Sequence, residues 1–314
     1  MAKQVLRIGT RASALALAQA ERVAKRLRTA HPGLTLEMRT VKTAGDRDQK
    51  LALEEIGGRG VFVSALEDAL LAEEIDVAVH SLKDVPTDVP AGLALAAYPE
   101  RADPHDALVS TEGWSLASLP QGARVGTGSP RRRGALLSVR PDLRVEPIRG
   151  NLDTRLAKLL SGEYDALVLA RAGLLRLGRR KGVRMRPIPF DIMLPPAGQG
   201  TLVAEARAED RRTRALLAPI DNSDLALASR LERQVMSELG AGCHGGLGVL
   251  ATVRAGRARM RAGVVTPDGR TLIRAAAQGT CEEAEDVARR VVERLRALGA
   301  EALATPSAAE SPVP

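Results

Sequence analysis

Asp76-Val-Ala-Val-His-Ser81 returns further along the chain as Asp165-Ala-Leu-Val-Leu-Ala170, and this pair of stretches decides the fold. Each is an acid followed by an apolar run of the length of one buried strand. A second echo precedes each one: Arg7-Ile-Gly-Thr10 and Arg124-Val-Gly-Thr127, both followed by a turn and a helical pattern. Around the first pair, Val5–Thr10 reads as a strand, Ala14–Thr29 as a helix and Thr35–Lys42 as a strand. Val61–Ala72 then reads as a helix and Ile75–His80 as a strand. That βαβ rhythm predicts a largely parallel sheet with helices on both faces. Tyr98–Pro104, rich in proline and charge, reads as a crossover, after which the pattern restarts with Leu143–Ile148 as its middle strand. The chain therefore reads as two similar α/β lobes, the first discontinuous over 1–98 and 198–218, the second over 105–190. Lobes of this kind bind ligands outside the carboxyl ends of their strands, in the cleft between them.

From Asn222 the character changes. Asp224–Leu239 is an amphipathic helix, and Gly242–Gly246 is a glycine-rich turn. Val249–Val253, Arg257–Val265 and Thr271–Gln278 read as antiparallel hairpins, with Thr266-Pro-Asp-Gly269 as one of the turns. Thr280 and Glu283 have the spacing of a capping box for a last helix reaching about Leu303. Residues 222–304 are thus expected to form a small α+β domain, and 305–314 a flexible tail.

Composition narrows the function. The 314 residues carry 46 basic and 38 acidic side chains, a net charge of +8, and 45% are apolar, enough for two or three cored domains. Two Phe, two Tyr and one Trp cannot build the stacking platform of a single-stranded nucleic-acid binder. Duplex binding through phosphates stays open. Only seven of the basic residues are lysine, and the planar arginine fork suits carboxylates. Two cysteines argue against a disulfide framework and for a reducing cytosol. No apolar run has the length of a membrane span. Ala12–Ala20 has the look of a signal-peptide core, but Ser13 and Gln19 interrupt it, and a cytoplasmic protein is expected.

Position then singles out particular cations. In Gly126-Thr-Gly-Ser-Pro-Arg131-Arg-Arg133, Ser129 is a good N-cap and Pro130 a good first helical residue. Three arginines in the next turn oppose the helix dipole, which marks Arg131 and Arg132 as an anion site rather than solvated surface. Arg11, Lys83, Arg149, Arg155 and Arg176 follow strands or open helices at comparable places, so a polyanion, phosphate or carboxylate, is expected. No P-loop or dinucleotide fingerprint is present. Asp84, in His80-Ser-Leu-Lys-Asp-Val-Pro86, is one acid among these bases. It reads either as a turn former before Pro86 or as a carboxylate that faces a developing cation and moves a proton. Cys243, in Gly240-Ala-Gly-Cys-His-Gly-Gly246, has small neighbours that leave its sulfur accessible. A structural zinc site lacks ligand spacing, and no metal is expected.

These residues resemble the porphobilinogen deaminase (hydroxymethylbilane synthase) family over nearly the full length. The matching stretches are Arg7-Ile-Gly-Thr-Arg-Ala-Ser13 with Gln19, Gly60-Val-Phe-Val63, Asp76 to Pro86, Gly126 to Arg132, and Ile148-Arg-Gly-Asn151 with Thr154-Arg155. Gly162-Glu-Tyr-Asp165, Pro196-Ala-Gly-Gln-Gly200, Glu232-Arg233 and the Gly242-Cys243 turn complete the set. The resemblance implies two periplasmic-binding-protein-like lobes with a central cleft plus a small α+β C-terminal domain. It implies a transferase that condenses four porphobilinogen molecules head to tail on a covalently attached dipyrromethane, releasing ammonia each time and finally hydroxymethylbilane. It further implies Cys243 as the thioether anchor and Asp84 as the catalytic carboxylate. Ser81, Lys83, Thr127, Ser129, Arg131, Arg132, Gly150 and Arg155 would hold the dipyrromethane; Arg11, Ser13, Gln19, Phe62, Arg149, Arg176 and Gln199 would hold substrate. A monomer with no nucleic-acid partner is expected. The sequence departs from the family pattern at Ala241, at His244-Gly-Gly246, which lacks a proline, and at Arg59, where lysine is common. Ala44–Gly60 reads as a lid that includes Asp46.

A two-lobed anion-binding protein without catalysis is the main competing reading, but it leaves Cys243, Asp84 and the third domain without a role. A nucleic-acid binder is the other, and it rests on charge alone.

Overall fold

The computed structural model describes residues 5–41, 63–178, 181–240 and 245–304. In chain order the elements are β1 (Val5–Arg11), a helix Ala14–Ala30, β2 (Thr35–Val41), a helix Ser64–Leu71, β3 (Val77–Ser81) and β4 (Leu93–Arg101). Next come β5 (Asp106–Ser110), β6 (Arg124–Gly126), a helix Pro130–Leu137, β7 (Arg144–Glu146), a helix Leu152–Leu160 and β8 (Ala166–Ala170). A helix Arg171–Arg176, β9 (Arg184–Pro187), β10 (Thr201–Arg207) and helices Arg211–Leu217 and Ser223–Glu238 follow. β11 (Leu247–Arg254), β12 (Arg257–Val265), β13 (Leu272–Thr280) and helices Ala284–Ala297 and Ala300–Ala304 end the described chain.

The first sheet has the order β2-β1-β3-β10-β4 and the second β7-β6-β8-β5-β9. The two orders are the same plan. The echoed stretches occupy equivalent places: β1 matches β6, and β3 matches β8. In each sheet one strand runs against the others: β10 is antiparallel to β3 and β4, and β5 is antiparallel to β8 and β9. The sheets are thus largely parallel, as the βαβ rhythm predicts, with one reversed strand that local pattern does not announce.

Both faces of the first sheet are covered, which is why β3 opens on the apolar run Val77-Ala-Val79 and even His80 in it is buried. Helix Ala14–Ala30 buries Ala20, Val23, Ala24 and Leu27, an i, i+3, i+4, i+7 stripe, against Leu6, Ile8, Val77, Val79 and Leu202. Ser13 caps it by accepting from the Ala16 N–H at 3.3 Å. On the opposite face Leu66, Ala69 and Leu70 of helix Ser64–Leu71 pack on Ile75, Ala78 and Leu93. In the second sheet, Leu108, Val125, Ala166 and Val168 pack with Ala135, Leu136 and Ile188.

Arg7 and Asp76 staple the start of β1 to the entry of β3. The Asp76 carboxylate accepts from the Arg7 backbone N–H at 2.8 Å and from its guanidinium at 2.6 and 3.0 Å. Burial alone raises the Asp76 pKa, but these bonds and the charges of Arg7 and Arg207 outweigh it and hold the carboxyl below its usual range. A depressed carboxylate stabilises the fold above its unfolded pKa, and that contribution fades as pH falls through the lower folded value. Asp76→Asn is therefore expected to lower Tm at pH 7 and to approach wild type as pH falls through and below the ordinary carboxylate range. Melting curves at several pH values check it; a pH-independent deficit overturns it.

Two compact units are formed, one of Met1–Pro104, Ala172–Arg179 and Gly198–Leu227, the other of His105–Arg171, Arg180–Ala197 and Ala228–Pro314. These divisions do not follow the sequence-based boundaries throughout. Ala172–Arg179 joins the first unit, and the C-terminal α+β segment shares a unit with the second lobe. In that segment β11-β12-β13 is an antiparallel sheet, on which helix Ala284–Ala297 buries Val287, Val291, Val292 and Leu295. The capping box is formed in both directions: Thr280 N–H donates to Glu283 Oε2 at 2.9 Å, and Glu283 N–H donates to Thr280 Oγ1 at 3.3 Å.

Helix Pro130–Leu137 meets β12 through Gly134. A Cβ there would press on the Thr266 carbonyl and lie 3.0 Å from Val265 Cγ2. Gly134→Ala should cost about 1–3 kcal/mol and several degrees of Tm by overpacking. A melting temperature within a degree of wild type would contradict this close approach.

Candidate active site

In the first unit the candidate residues gather where β1 and β3 end. β3 runs into a single 3₁₀ turn, Leu82–Asp84, whose apolar member Leu82 is buried while Asp84 is exposed. A strand end followed by one tight, anchored turn fixes the backbone beneath the carboxylate. Beside Asp84, Lys83 Nζ donates to Gln199 Oε1 at 3.4 Å. Gln199 is fully buried and is fixed in turn: its Nε2 donates to the Pro104 carbonyl at 2.9 Å, and its own carbonyl accepts from Arg101 Nε at 3.0 Å. Buried Gln19 donates to Ser81 Oγ at 2.9 Å, which couples the first helix to the end of β3. Ser13 sits two residues beyond Arg11 and is engaged as a helix cap.

Arg176 belongs to the same unit. Its side chain is 3% exposed, its Nη2 donates to the Gly200 carbonyl at 2.6 Å, and it lies 3.8 Å from Glu100. Burial pulls its pKa down to about 10, against the opposing pull of Glu100, so it stays charged at neutral pH. Its Nε is buried with no hydrogen-bond partner among the described residues. A buried donor left unmatched is costly and fits a ligand oxygen. Two residues upstream of the site turn, His80 is buried in β3 with Nε2 3.0 Å from Glu205 Oε2, a strand-interior pair.

In the second unit the sites cluster after β6 and β7. Ser129 caps helix Pro130–Leu137, accepting from the Arg132 N–H at 3.4 Å, and Pro130 is its first residue. Thr127 is buried; its N–H donates to the Glu146 carbonyl at 2.9 Å and its hydroxyl accepts from Ser129 N–H at 3.2 Å. Arg131 and Arg132 are 5% and 8% exposed, so they are not solvated arginines. What offsets their conflict with the helix dipole is Asp106, which opens β5 and is fully buried: it accepts from Arg131 Nη2 at 2.8 Å and from Arg132 Nη2 at 2.7 Å. Even so, desolvation, more than Arg132's charge, leaves the Arg131 pKa below the usual arginine value despite Asp106.

After β7, Arg149 is exposed and Gly150 takes φ +106°, where a Cβ would meet the Thr154 side chain at 2.8 Å. Asn151 then caps helix Leu152–Leu160 by accepting from Thr154 N–H at 2.9 Å. Arg155 Nε donates back to the Gly150 carbonyl at 2.8 Å, and burial, with Arg132 nearby, lowers its pKa.

The structure therefore brings Ser81, Lys83, Asp84, Gln19 and Gln199 together in one unit. It brings Thr127, Ser129, Arg131 and Arg132 together in the other, with Arg155 electrostatically coupled to Arg132. The predicted residues Cys243 and Phe62, together with Asp46, Arg59, Ala241, His244 and the Ala44–Gly60 stretch, lie outside the described residues. Asp106 was missed by sequence reasoning; its signal was a charged residue at the head of an otherwise apolar strand, Asp106-Ala-Leu-Val-Ser110. No group of three or more metal-ligating side chains occurs among the described residues, nor a helix long and apolar enough to cross a membrane.

Buried, pre-fixed guanidiniums occur in each unit, Arg176 in the first and Arg131 and Arg132 in the second, and the first also presents the exposed Asp84 carboxylate on a tight turn. Comparison with known proteins makes this specific. Residues 6–215 match the family model described as porphobilinogen deaminase, dipyromethane cofactor binding domain, and residues 226–297 match the porphobilinogen deaminase C-terminal domain. The porphobilinogen deaminase of Acidothermus cellulolyticus is 46% identical over 306 residues, covering 96% of this chain and 92% of that one. Solved structures resemble it more loosely. The Bordetella pertussis BvgS VFT2 domain gives a TM-score of 0.43 at 15% identity, covering 74% of this chain and 92% of that chain. The BenM effector-binding domain with benzoate gives 0.42 at 14%, covering 76% and 95%. The chain belongs to the porphobilinogen deaminase family, a family of transferases with a dipyrromethane cofactor domain.

Proposed function

We propose that the chain is a hydroxymethylbilane synthase in which Asp84 is the catalytic carboxylate and Cys243 the anchor of the dipyrromethane. The observation that carries this is the arrangement of cations. Each porphobilinogen brings an acetate and a propionate, so the ligand gains two negative charges at every addition, and both lobes place arginines at strand ends and helix starts. Arg131, Arg132 and Arg155, with Lys83, Ser81, Thr127, Ser129 and the Gly150 backbone, are the residues that would hold the cofactor. Arg11, Ser13, Gln19, Phe62, Arg149, Arg176 and Gln199 would hold the incoming substrate. The orphaned Arg176 Nε, and the guanidinium donors of Arg131 and Arg132 that Asp106 and the backbone leave over, fit such a group.

When bound, the dipyrromethane supplies the free pyrrole carbon to which substrate is joined. The C–N bond of the protonated aminomethyl group of porphobilinogen breaks, its electron pair leaves with nitrogen as neutral ammonia, and a cation conjugated with the pyrrole nitrogen remains. Asp84, an exposed carboxylate on an anchored turn, stabilises that cation and accepts the pyrrole N–H hydrogen bond. Once the new C–C bond has formed, the same carboxylate takes up the proton lost from the pyrrole carbon. Lys83, tied to Gln199, holds a carboxylate without neutralising Asp84.

Intact-mass measurement of the purified chain tests the anchor: a dipyrromethane-sized addition is expected, and an unmodified mass in active protein overturns it. Arg149→Leu should raise KM for porphobilinogen about ten- to a hundredfold by removing a charge-assisted bond. Wild-type kinetics would return Arg149 to ordinary surface. We also read the chain as a cytoplasmic monomer without a nucleic-acid partner, supported by its cysteine usage and aromatic poverty. Strong, salt-sensitive retention on DNA would contradict the last point.

A further inference from the structure

We propose that Asp106 is the positioning residue of the second lobe's anion site, holding Arg131 and Arg132 in the one arrangement that leaves donors for a ligand carboxylate. This rests on the reading that those two arginines hold the dipyrromethane. Asp106 is fully buried, and its backbone is fixed on both sides. β5 pairs there with Ala170 of β8, and the Asp106 carbonyl accepts from the Ile188 N–H at 2.8 Å. One carboxylate oxygen accepts from Arg132 Nε at 3.1 Å and Nη2 at 2.7 Å, the other from Arg131 Nη2 at 2.8 Å. Backbone carbonyls complete the clamp: Arg132 Nη1 donates to Val168 at 3.1 Å, and Arg131 Nη1 donates to Leu194.

A guanidinium has five N–H donors. These bonds commit three on Arg132 and two on Arg131, so Arg131 keeps the larger share for a ligand while Arg132 is chiefly a brace. Asp106 offsets only part of the positive charge of Arg131 and Arg132, and Arg155 adds to it, so the site stays net positive for a ligand carboxylate. Without Asp106, two like charges would be pressed together, desolvated, in the first turn of a helix whose dipole already repels them. The guanidiniums would then swing out, and the site would lose its geometry even in a folded lobe.

The test compares wild type, Asp106→Asn and Asp106→Glu full-length chains by intact mass, porphobilinogen kinetics and melting temperature. Asn keeps the shape but turns an N–H₂ toward a guanidinium. It is expected to leave most of the folded protein without the dipyrromethane mass, and to raise KM about thirtyfold or more in the loaded fraction. Glu restores the charge one methylene away and should recover loading with KM still raised. If folded Asp106→Asn is loaded like wild type with unchanged KM, and only its melting temperature falls, Asp106 is merely structural and the proposal fails. If Asp106→Asn does not fold, Asp106→Glu decides: raised KM upholds the proposal, and wild-type loading with wild-type KM overturns it. A wild-type chain lacking the added mass overturns the cofactor reading itself, and this proposal with it.

Discussion

Asp84→Ala is expected to lower porphobilinogen consumption by about a thousandfold or more while leaving the fold and the cofactor mass intact. The size follows from two roles resting on one group. Removing a preorganised electrostatic stabiliser costs about 10²–10³ in turnover, and general acid–base assistance contributes about 10²–10⁴. The structural cost is small because Asp84 is exposed, and the turn is held by buried Leu82 rather than by the carboxylate. Exposed substitutions of this kind usually stay within about 0.5 kcal/mol. Asp84→Glu keeps the charge and should retain more turnover than Asp84→Asn, which keeps only the shape. Steady-state rates beside melting curves make the comparison; turnover within tenfold of wild type in Asp84→Ala would remove the carboxylate from its assigned role.

Cys243→Ser is expected to abolish turnover, with the purified chain at its unmodified mass. A thiolate is the nucleophile a thioether requires, and a serine hydroxyl, ionising far above neutral pH, does not replace it. Without a covalent anchor, the chain has nothing to which the first substrate is joined and retained. The other cysteine provides the control. Cys281 is half-buried, with its backbone N–H donating to the Gly256 carbonyl at 2.9 Å, and Cys281→Ser should keep both the added mass and activity. Discovery of the same thioether-linked mass in Cys243→Ser would refute the assignment.

How much of this was readable in the sequence depended on how local each signal was. β3 and β8 announced themselves because each is a short, mostly apolar run behind an acid, the pattern of a buried strand. Ser129 was legible as a cap, since a cap needs only the next three residues, whereas the capping by Ser13 and Asn151 came with the structure. The Thr280–Glu283 box was legible for the same reason. The reversed strands β10 and β5 were not, because their partners lie far along the chain and nothing local fixes direction. Asp106 was missed in the same way: its meaning depends on Arg131 and Arg132, which another strand and helix start deliver to it. The dipole conflict at Arg131–Arg133 was visible, but its resolution was not. Arg176 was marked as a candidate early in its helix, whereas it ends helix Arg171–Arg176, and its place in the first unit came only with the fold.

The insertion of β10 between β3 and β4 carries a consequence for biosynthesis. Until Thr201–Arg207 has left the ribosome, β3 and β4 have no strand between them, so the N-terminal sheet exists only as β2-β1-β3 and a detached edge. The first lobe to be translated is thus unable to close before most of the second has been made, which inverts the usual N-terminal-first order of domain folding. During that interval β3 offers an open hydrogen-bonding edge, the kind of surface that pairs with other nascent chains. A polypeptide truncated just before Thr201 would carry that liability permanently, so early termination yields an aggregating fragment rather than a smaller lobe.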